Sequence, residues 1–120
     1  MPTVYIFDFD ADIASILCDW LKYHGYEAKE FFTIEDLLEQ LSINHPDCII
    51  LDCHYNKFCV TSNLCDTIQQ VHHYTGKILL TSTSHLSDKD LKKCNAIHFI
   101  AKPFDLWEVL KTVNQLLCAH

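Results

Sequence analysis

Short apolar runs in this 120-residue chain end repeatedly in side chains that can do chemistry. Val4 to Phe7 is followed by Asp8, Phe9 and Asp10; Cys48 to Leu51 by Asp52; Ile78 to Leu80 by Thr81 and Ser82; Phe99 to Ala101 by Lys102 and Pro103. Carboxylates gathered at one place repel, and a pair about 4 Å apart costs roughly 4 kcal/mol at an effective dielectric near 20. A cation relieves that cost, and all-oxygen ligands that leave room for water suit Mg²⁺ or Mn²⁺ better than Zn²⁺. A hydroxyl and an ammonium facing the same point add the means to hold a phosphoryl group. In that reading one Asp attacks phosphorus, the metal and Lys102 neutralise developing charge, and Thr81 binds an oxygen.

Five βα units are needed to bring these endings together. The first strand, Thr3 to Asp8, precedes a helical pattern of Ile13, Ile16, Leu17, Trp20 and Leu21 that stops at Gly25. The second strand is Tyr26 to Phe31, and Thr33 with Asp36 three residues on resembles a capping box for a helix through Leu41. Cys48 to Leu51 is wholly apolar, as a central parallel strand buried on both faces must be. After a loop from Cys53 to about Val60, Thr61 or Ser62 caps a third helix that runs through Ile68 and Val71 to Gly76. The fourth strand is Lys77 to Thr81, Ser87 caps a short fourth helix, and Ala96 to Ala101 is the fifth strand. Asp105 caps a last helix with Leu106, Val109, Leu110, Val113 and Leu117 on one face. This alternation predicts an α/β fold: a flavodoxin-like (βα)5 domain with a five-stranded parallel sheet, order 2-1-3-4-5, and helices on both faces. Ligands in such folds bind at the carboxyl ends of the strands, where the polar endings converge.

Composition bounds the rest. One domain spanning 1–120 is the expectation at this length, with 49% hydrophobic residues to fill a core. The formal charge is −7, and all nine basic residues are Lys; without Arg and with excess acid, nucleic acid is not expected as a direct partner. No run is apolar enough to span a bilayer, and no signal peptide opens the chain, so a soluble cytoplasmic protein without membrane contact is expected. Seven cysteines, an odd number, read as thiols of a reducing compartment. Cys53, His54, Cys59, Cys65, His72 and His73 lack zinc-site spacing. Cys53 beside Asp52 leaves redox sensitivity open, and Trp107 is open between core and partner surface.

The order of these motifs resembles the receiver domain of two-component response regulators, over residues 3 to 118. The resemblance is carried by Asp8, Asp52, Thr81, Phe99 and Lys102-Pro103-Phe104. It implies that Asp52 accepts phosphate from a histidine kinase or phosphotransfer protein and that Asp8 helps to hold Mg²⁺ (or Mn²⁺). It further implies that Lys102 contacts the phosphoryl group across a cis Lys102-Pro103 bond, and that Thr81 and Phe99 switch together. That switch would reshape the face of the fourth helix, fifth strand and fifth helix for a downstream output protein or domain, or for a homodimer. The only catalysis implied is self-phosphorylation and slow loss of the phosphate.

Two departures from the family pattern stand out. Phe9 occupies the place of a second acidic metal ligand, leaving Asp10 either to replace it or simply to cap the first helix. The loop after Asp52 is also unlike the family's, although the backbone carbonyl of His54 falls where the family uses a carbonyl as metal ligand. These departures keep a phosphorylation-independent binding module as the first alternative. A second arises because Val4 to Asp10 also resembles the opening motif of haloacid dehalogenase-type phosphatases, in which Asp8 would be the nucleophile and Asp10 the general acid/base; Asp52 would then have no role.

Overall fold

The computed structural model describes residues 1–53, 63–83, 87–93 and 98–118. The β-branched and aromatic runs form five parallel strands: β1 (Thr3–Phe7), β2 (Glu27–Phe31), β3 (Cys48–Cys53), β4 (Lys77–Ser82) and β5 (His98–Ala101), hydrogen-bonded in the order β2-β1-β3-β4-β5. The helices are α1 (Ala11–Tyr23), α2 (Ile34–Leu41), α3 (63–71), α4 (Asp88–Lys93) and α5 (Leu106–Cys118). This is the flavodoxin-like arrangement that the alternation predicts.

The period-two alternation of each strand divides the interior into two layers. Val4, Ile6, Cys48, Ile50 and Leu79 pack with Ala14, Leu17 and Leu21 of α1 and Val109 and Val113 of α5. Tyr5, Phe7, Ile49, Leu51, Ile78 and Leu80 face the other way, onto Leu37 and Leu41 of α2 and Leu64, Cys65 and Ile68 of α3. Every residue of β3 is buried, so the central strand carries its apolar run into both layers.

Side-chain caps set where the helices start. Asp10 accepts the Asp12 and Ile13 N–H groups at the head of α1, Thr33 accepts the Asp36 N–H at α2, and Asp105 accepts the Trp107 N–H at α5. After α1, Gly25 takes φ +94°, the left-handed conformation that a side chain resists. The residues expected to cap α3, Thr61 and Ser62, lie outside the described residues, as do Ala96 and Ile97 at the head of the fifth strand.

Several boundaries differ from the sequence expectation. β1 stops at Phe7, one residue short of Asp8, while β3 runs two residues past Leu51 and β4 one past Thr81, because Asp52 pairs with Thr81 and Cys53 with Ser82 in the ladder. β2 begins at Glu27, since Tyr26 turns its buried ring toward α5 and its hydroxyl donates to Asn114. α3 ends at Val71 in a π-helical turn, Thr67–Val71, well before Gly76. There the His72 N–H reaches Thr67 O and the Tyr74 N–H reaches Ile68 O, which swings the Tyr74 ring into the core and lets its hydroxyl donate to Lys77 O. Gly76 lies against that ring so closely that a Cβ would overlap it.

Candidate functional site

At the carboxyl ends of β1, β3 and β5 the ladder delivers Asp8, Asp52 and Lys102 to one point. The Lys102 ammonium lies 2.7 Å from Asp8 Oδ2 and 3.1 Å from Asp52 Oδ1, bridging the two carboxylates. Each remaining oxygen takes a backbone donor: Asp10 N–H reaches Asp8 Oδ1 at 2.8 Å, and Phe9 N–H reaches Asp52 Oδ2 at 3.3 Å. All four carboxylate oxygens are thereby hydrogen-bonded by protein groups. Asp8 and Asp52 are buried, while Asp10 is exposed.

Burial pushes the Asp8 carboxyl above its ordinary value of 3.8, and the charge of Asp52 pushes the same way. The Lys102 and Asp10 N–H hydrogen bonds oppose this without cancelling it. Burial by itself would lower Lys102, but its hydrogen bonds to Asp8 and Asp52, with their charges, overcome that and raise it above 10.5. Lys102 therefore stays an ammonium at neutral pH.

The acidic cluster opens into a cavity of about 320 Å³ lined by Asp8, Phe9, Asp10, Ile13, Asp52, Cys53, Thr83 and Lys102. Thr81 stands behind it on β4, beside Asp52 in the ladder and 1% exposed, and its buried Oγ1 has no hydrogen-bond partner. A buried hydroxyl left unpaired is costly unless something arrives to use it. Phe99 is half-buried against the α2–α3 layer. The Lys102–Pro103 peptide is cis. The His54 carbonyl, expected as a metal ligand, lies outside the described residues.

Of the residues singled out in the sequence, Asp8, Asp10, Asp52 and Lys102 meet at the cavity, with Thr81 recessed beside Asp52. Asp10 spends its carboxylate on the N-terminus of α1, the capping role that the sequence left open. The donor set fits a small hard cation in its chemistry, since Asp8 and Asp52 offer carboxylate oxygens to a cavity with room for water. Among the described residues no three His, Cys, Asp or Glu side chains are grouped to hold a metal by themselves. Phe9 contributes in a way residue types do not reveal: its backbone N–H holds Asp52, and its ring packs edge-on against Phe7 at 5.0 Å. Ile13 and Thr83 line the cavity without having been singled out as site residues. For Thr83 the Thr81-Ser82-Thr83-Ser84 run is the one advance signal; Ile13 reads in the sequence simply as part of the apolar face of α1.

An apolar groove of about 470 Å³ adjoins this cavity, lined by Ile13, Ile16, Leu17, Thr83, Lys102, Pro103, Phe104 and Leu106. The described residues contain no helix long and apolar enough to cross a membrane.

With this geometry in view, comparison with known proteins is direct. The response regulator receiver domain family matches residues 4–114, and the chain belongs to that family. No curated protein matches the chain. Among solved structures, a response regulator from Thermotoga maritima superposes with a TM-score of 0.86 at 20% identity, covering 99% of both chains. The chemotaxis protein CheY4 of Vibrio cholerae superposes with a TM-score of 0.81 at 23% identity, covering 98% of this chain and 99% of its own. NtrX from Brucella abortus matches 97% of this chain over 26% of its own length, with a TM-score of 0.81 and 19% identity, so the same fold also occurs as one part of a longer chain. The protein is thus the receiver domain of a two-component response regulator, a class that works generally as a signalling switch rather than as an enzyme.

Proposed function

We propose that this receiver accepts a phosphoryl group on Asp52 and passes the signal on through Thr81 and Phe99. The observation that carries this reading is the buried, unpartnered Thr81 hydroxyl beside a carboxylate that an ammonium already holds. Asp52 Oδ2, steadied by the Phe9 N–H at the cavity, attacks phosphorus as the P–N bond of a phosphohistidine donor breaks. The electron pair leaves with the imidazole nitrogen, which takes its proton from water. Lys102 offsets charge on the phosphoryl oxygens, and Thr81 Oγ1 turns to donate to one of them. Asp8, with Asp52, would hold Mg²⁺ or Mn²⁺, which when bound supplies further charge neutralisation at those oxygens. Asp10 would join only by giving up its cap on α1.

The histidine kinase or phosphotransfer protein that donates the group would press into the apolar groove beside the cavity, where Ile13, Ile16, Phe104 and Leu106 offer purchase. Movement of Thr81 on β4 would alter the packing of Phe99 on β5, and with it the face of α4, β5 and α5 that an output domain, an output protein or a second copy would read.

Incubation with acetyl phosphate and Mg²⁺, followed by borohydride reduction and mass spectrometry, tests the assignment. The label is expected on Asp52 and absent from Asp52→Ala. Label on Asp8 would replace this reading by a phosphatase-like one. A folded chain that takes no label would establish a phosphorylation-independent binding module, the reading that the Phe9 departure favours.

A further inference from the structure

Phe9 is apolar and 44% exposed, and it stands in the wall of a cavity otherwise lined by carboxylates, an ammonium, a hydroxyl and a thiol, with Ile13 as the other apolar side chain among the described residues. An aromatic ring left half in water gains free energy from whatever covers it. This ring is also held in place. Its backbone N–H lies 3.3 Å from Asp52 Oδ2, which fixes the residue beside the nucleophile, and the Phe7 ring meets it edge-on with centroids 5.0 Å apart and planes at 74°. A ring anchored in this way loses little further freedom when a second ring packs on it. At about 320 Å³ the cavity takes a phosphoryl group together with one small ring.

Phosphoryl donors differ in what departs from them. When Asp52 Oδ2 forms its bond to phosphorus and the P–N bond of a phosphohistidine breaks, the electron pair stays on nitrogen, which takes a proton from water, and a neutral, flat aromatic ring departs. When the P–O bond of an acyl phosphate breaks, the pair stays on oxygen and a carboxylate without a ring departs. Phe9 offers the first leaving group a stacking partner and the second none. We infer that the Phe9 ring is a specificity-determining residue: it packs on the imidazole of the donor and selects phosphoryl-imidazole donors over acyl phosphates and over P–N donors that lack a ring. A carboxylate at this position has no π face and could not make that selection. The inference rests on the proposed function, since it takes Asp52 as the acceptor.

The test gives the whole chain three small donors in the presence of Mg²⁺: N-phosphoimidazole, phosphoramidate, which has the P–N bond without the ring, and acetyl phosphate. Mass spectrometry follows the rate at which label appears on Asp52. Each variant is characterised by the ratio of its phosphoimidazole rate to its phosphoramidate rate, so that the intrinsic reactivity of the donors cancels between variants. Phe9→Leu and Phe9→Met keep an apolar side chain and the backbone N–H but have no ring, and both are expected to lower this ratio about tenfold. Phe9→Trp is expected to hold it at or above the wild-type value, and the ratio to acetyl phosphate should move in the same direction. Circular dichroism checks the fold of each variant. A ratio that the ringless variants leave within about twofold of wild type, or that Phe9→Trp lowers as far as they do, overturns the inference and leaves the proposed function standing. A loss shared equally by all three donors does the same, because Phe9 would then serve only to support Asp52. A wild-type chain that no donor labels overturns the proposed function and this inference with it.

Discussion

Asp8 gives up its proton less readily in the folded chain than in the unfolded one, because burial penalises its carboxylate and Asp52 adds a second negative charge. The sign for stability follows from linkage. Between the ordinary 3.8 and the raised folded value, the folded state holds a proton that the unfolded chain has released, so stability falls as pH rises through that window. Asp8→Asn removes this loss and leaves Lys102 its ion pair with Asp52. Chemical denaturation is therefore expected to find Asp8→Asn more stable than wild type at pH 7 by about 1 kcal/mol, with the difference closing toward pH 4. An Asp8→Asn chain less stable at pH 7 would show that the Lys102 ion pair outweighs the burial cost. Lys102 has the same sign in an alkaline window: its raised value contributes stability fully present below 10.5 and lost as pH rises through the folded value. Lys102→Met is expected to lack that alkaline loss in the same denaturation series.

At the scale of elements, Asp10 illustrates how a residue of the right type in the right place can be engaged elsewhere. As the N-cap of α1 it should cost about 1 kcal/mol of stability when replaced by Ala and almost nothing when replaced by Asn, which caps equally well without charge. Thermal denaturation of Asp10→Ala and Asp10→Asn reads the cap. A tenfold loss of Mn²⁺ affinity in Asp10→Asn at unchanged stability would show a ligand instead. The π-turn that ends α3 makes a second element-scale prediction. Gly76→Ala sets a Cβ against the Tyr74 ring and should cost about 1–3 kcal/mol, while adding it to Tyr74→Ala should cost far less, a non-additivity that a double-mutant cycle measures. Such contacts explain what could and could not be read in the sequence. The continuous apolar runs Val4 to Phe7 and Cys48 to Leu51, and the caps at Thr33 and Asp105, are local signals and were legible. The early end of α3 depends on Tyr74 meeting Lys77 and Gly76 across a turn, which no periodicity encodes. The residue types of Asp8, Asp52 and Lys102 announced a charged rim, but the Phe9 N–H that holds Asp52 is a backbone donor and leaves no mark in residue type.

For the molecule as a whole, the sheet separates two packed layers that answer differently to an event at Asp52. Thr81 sits beside Asp52 in the ladder, its neighbour Leu80 packs in the α2–α3 layer, and Phe99, which pairs with Leu80 across β4 and β5, rests on that same layer. A hydroxyl drawn toward the phosphoryl group therefore acts on β4 and β5 first. β2 lies at the far edge, joined to the rest through β1, and has no direct contact with Thr81 in the ladder. Hydrogen exchange on the phosphorylated chain is expected to change protection in Lys77–Ser82 and His98–Ala101 while leaving Glu27–Phe31 as before. Thr81→Ala should still accept the label on Asp52 but lose that regional change, because the carboxylate chemistry survives and the hydroxyl that reports it does not. Exchange that shifts evenly across all five strands would mean that phosphate merely stabilises the native state by mass action, without a second packing for a partner to read.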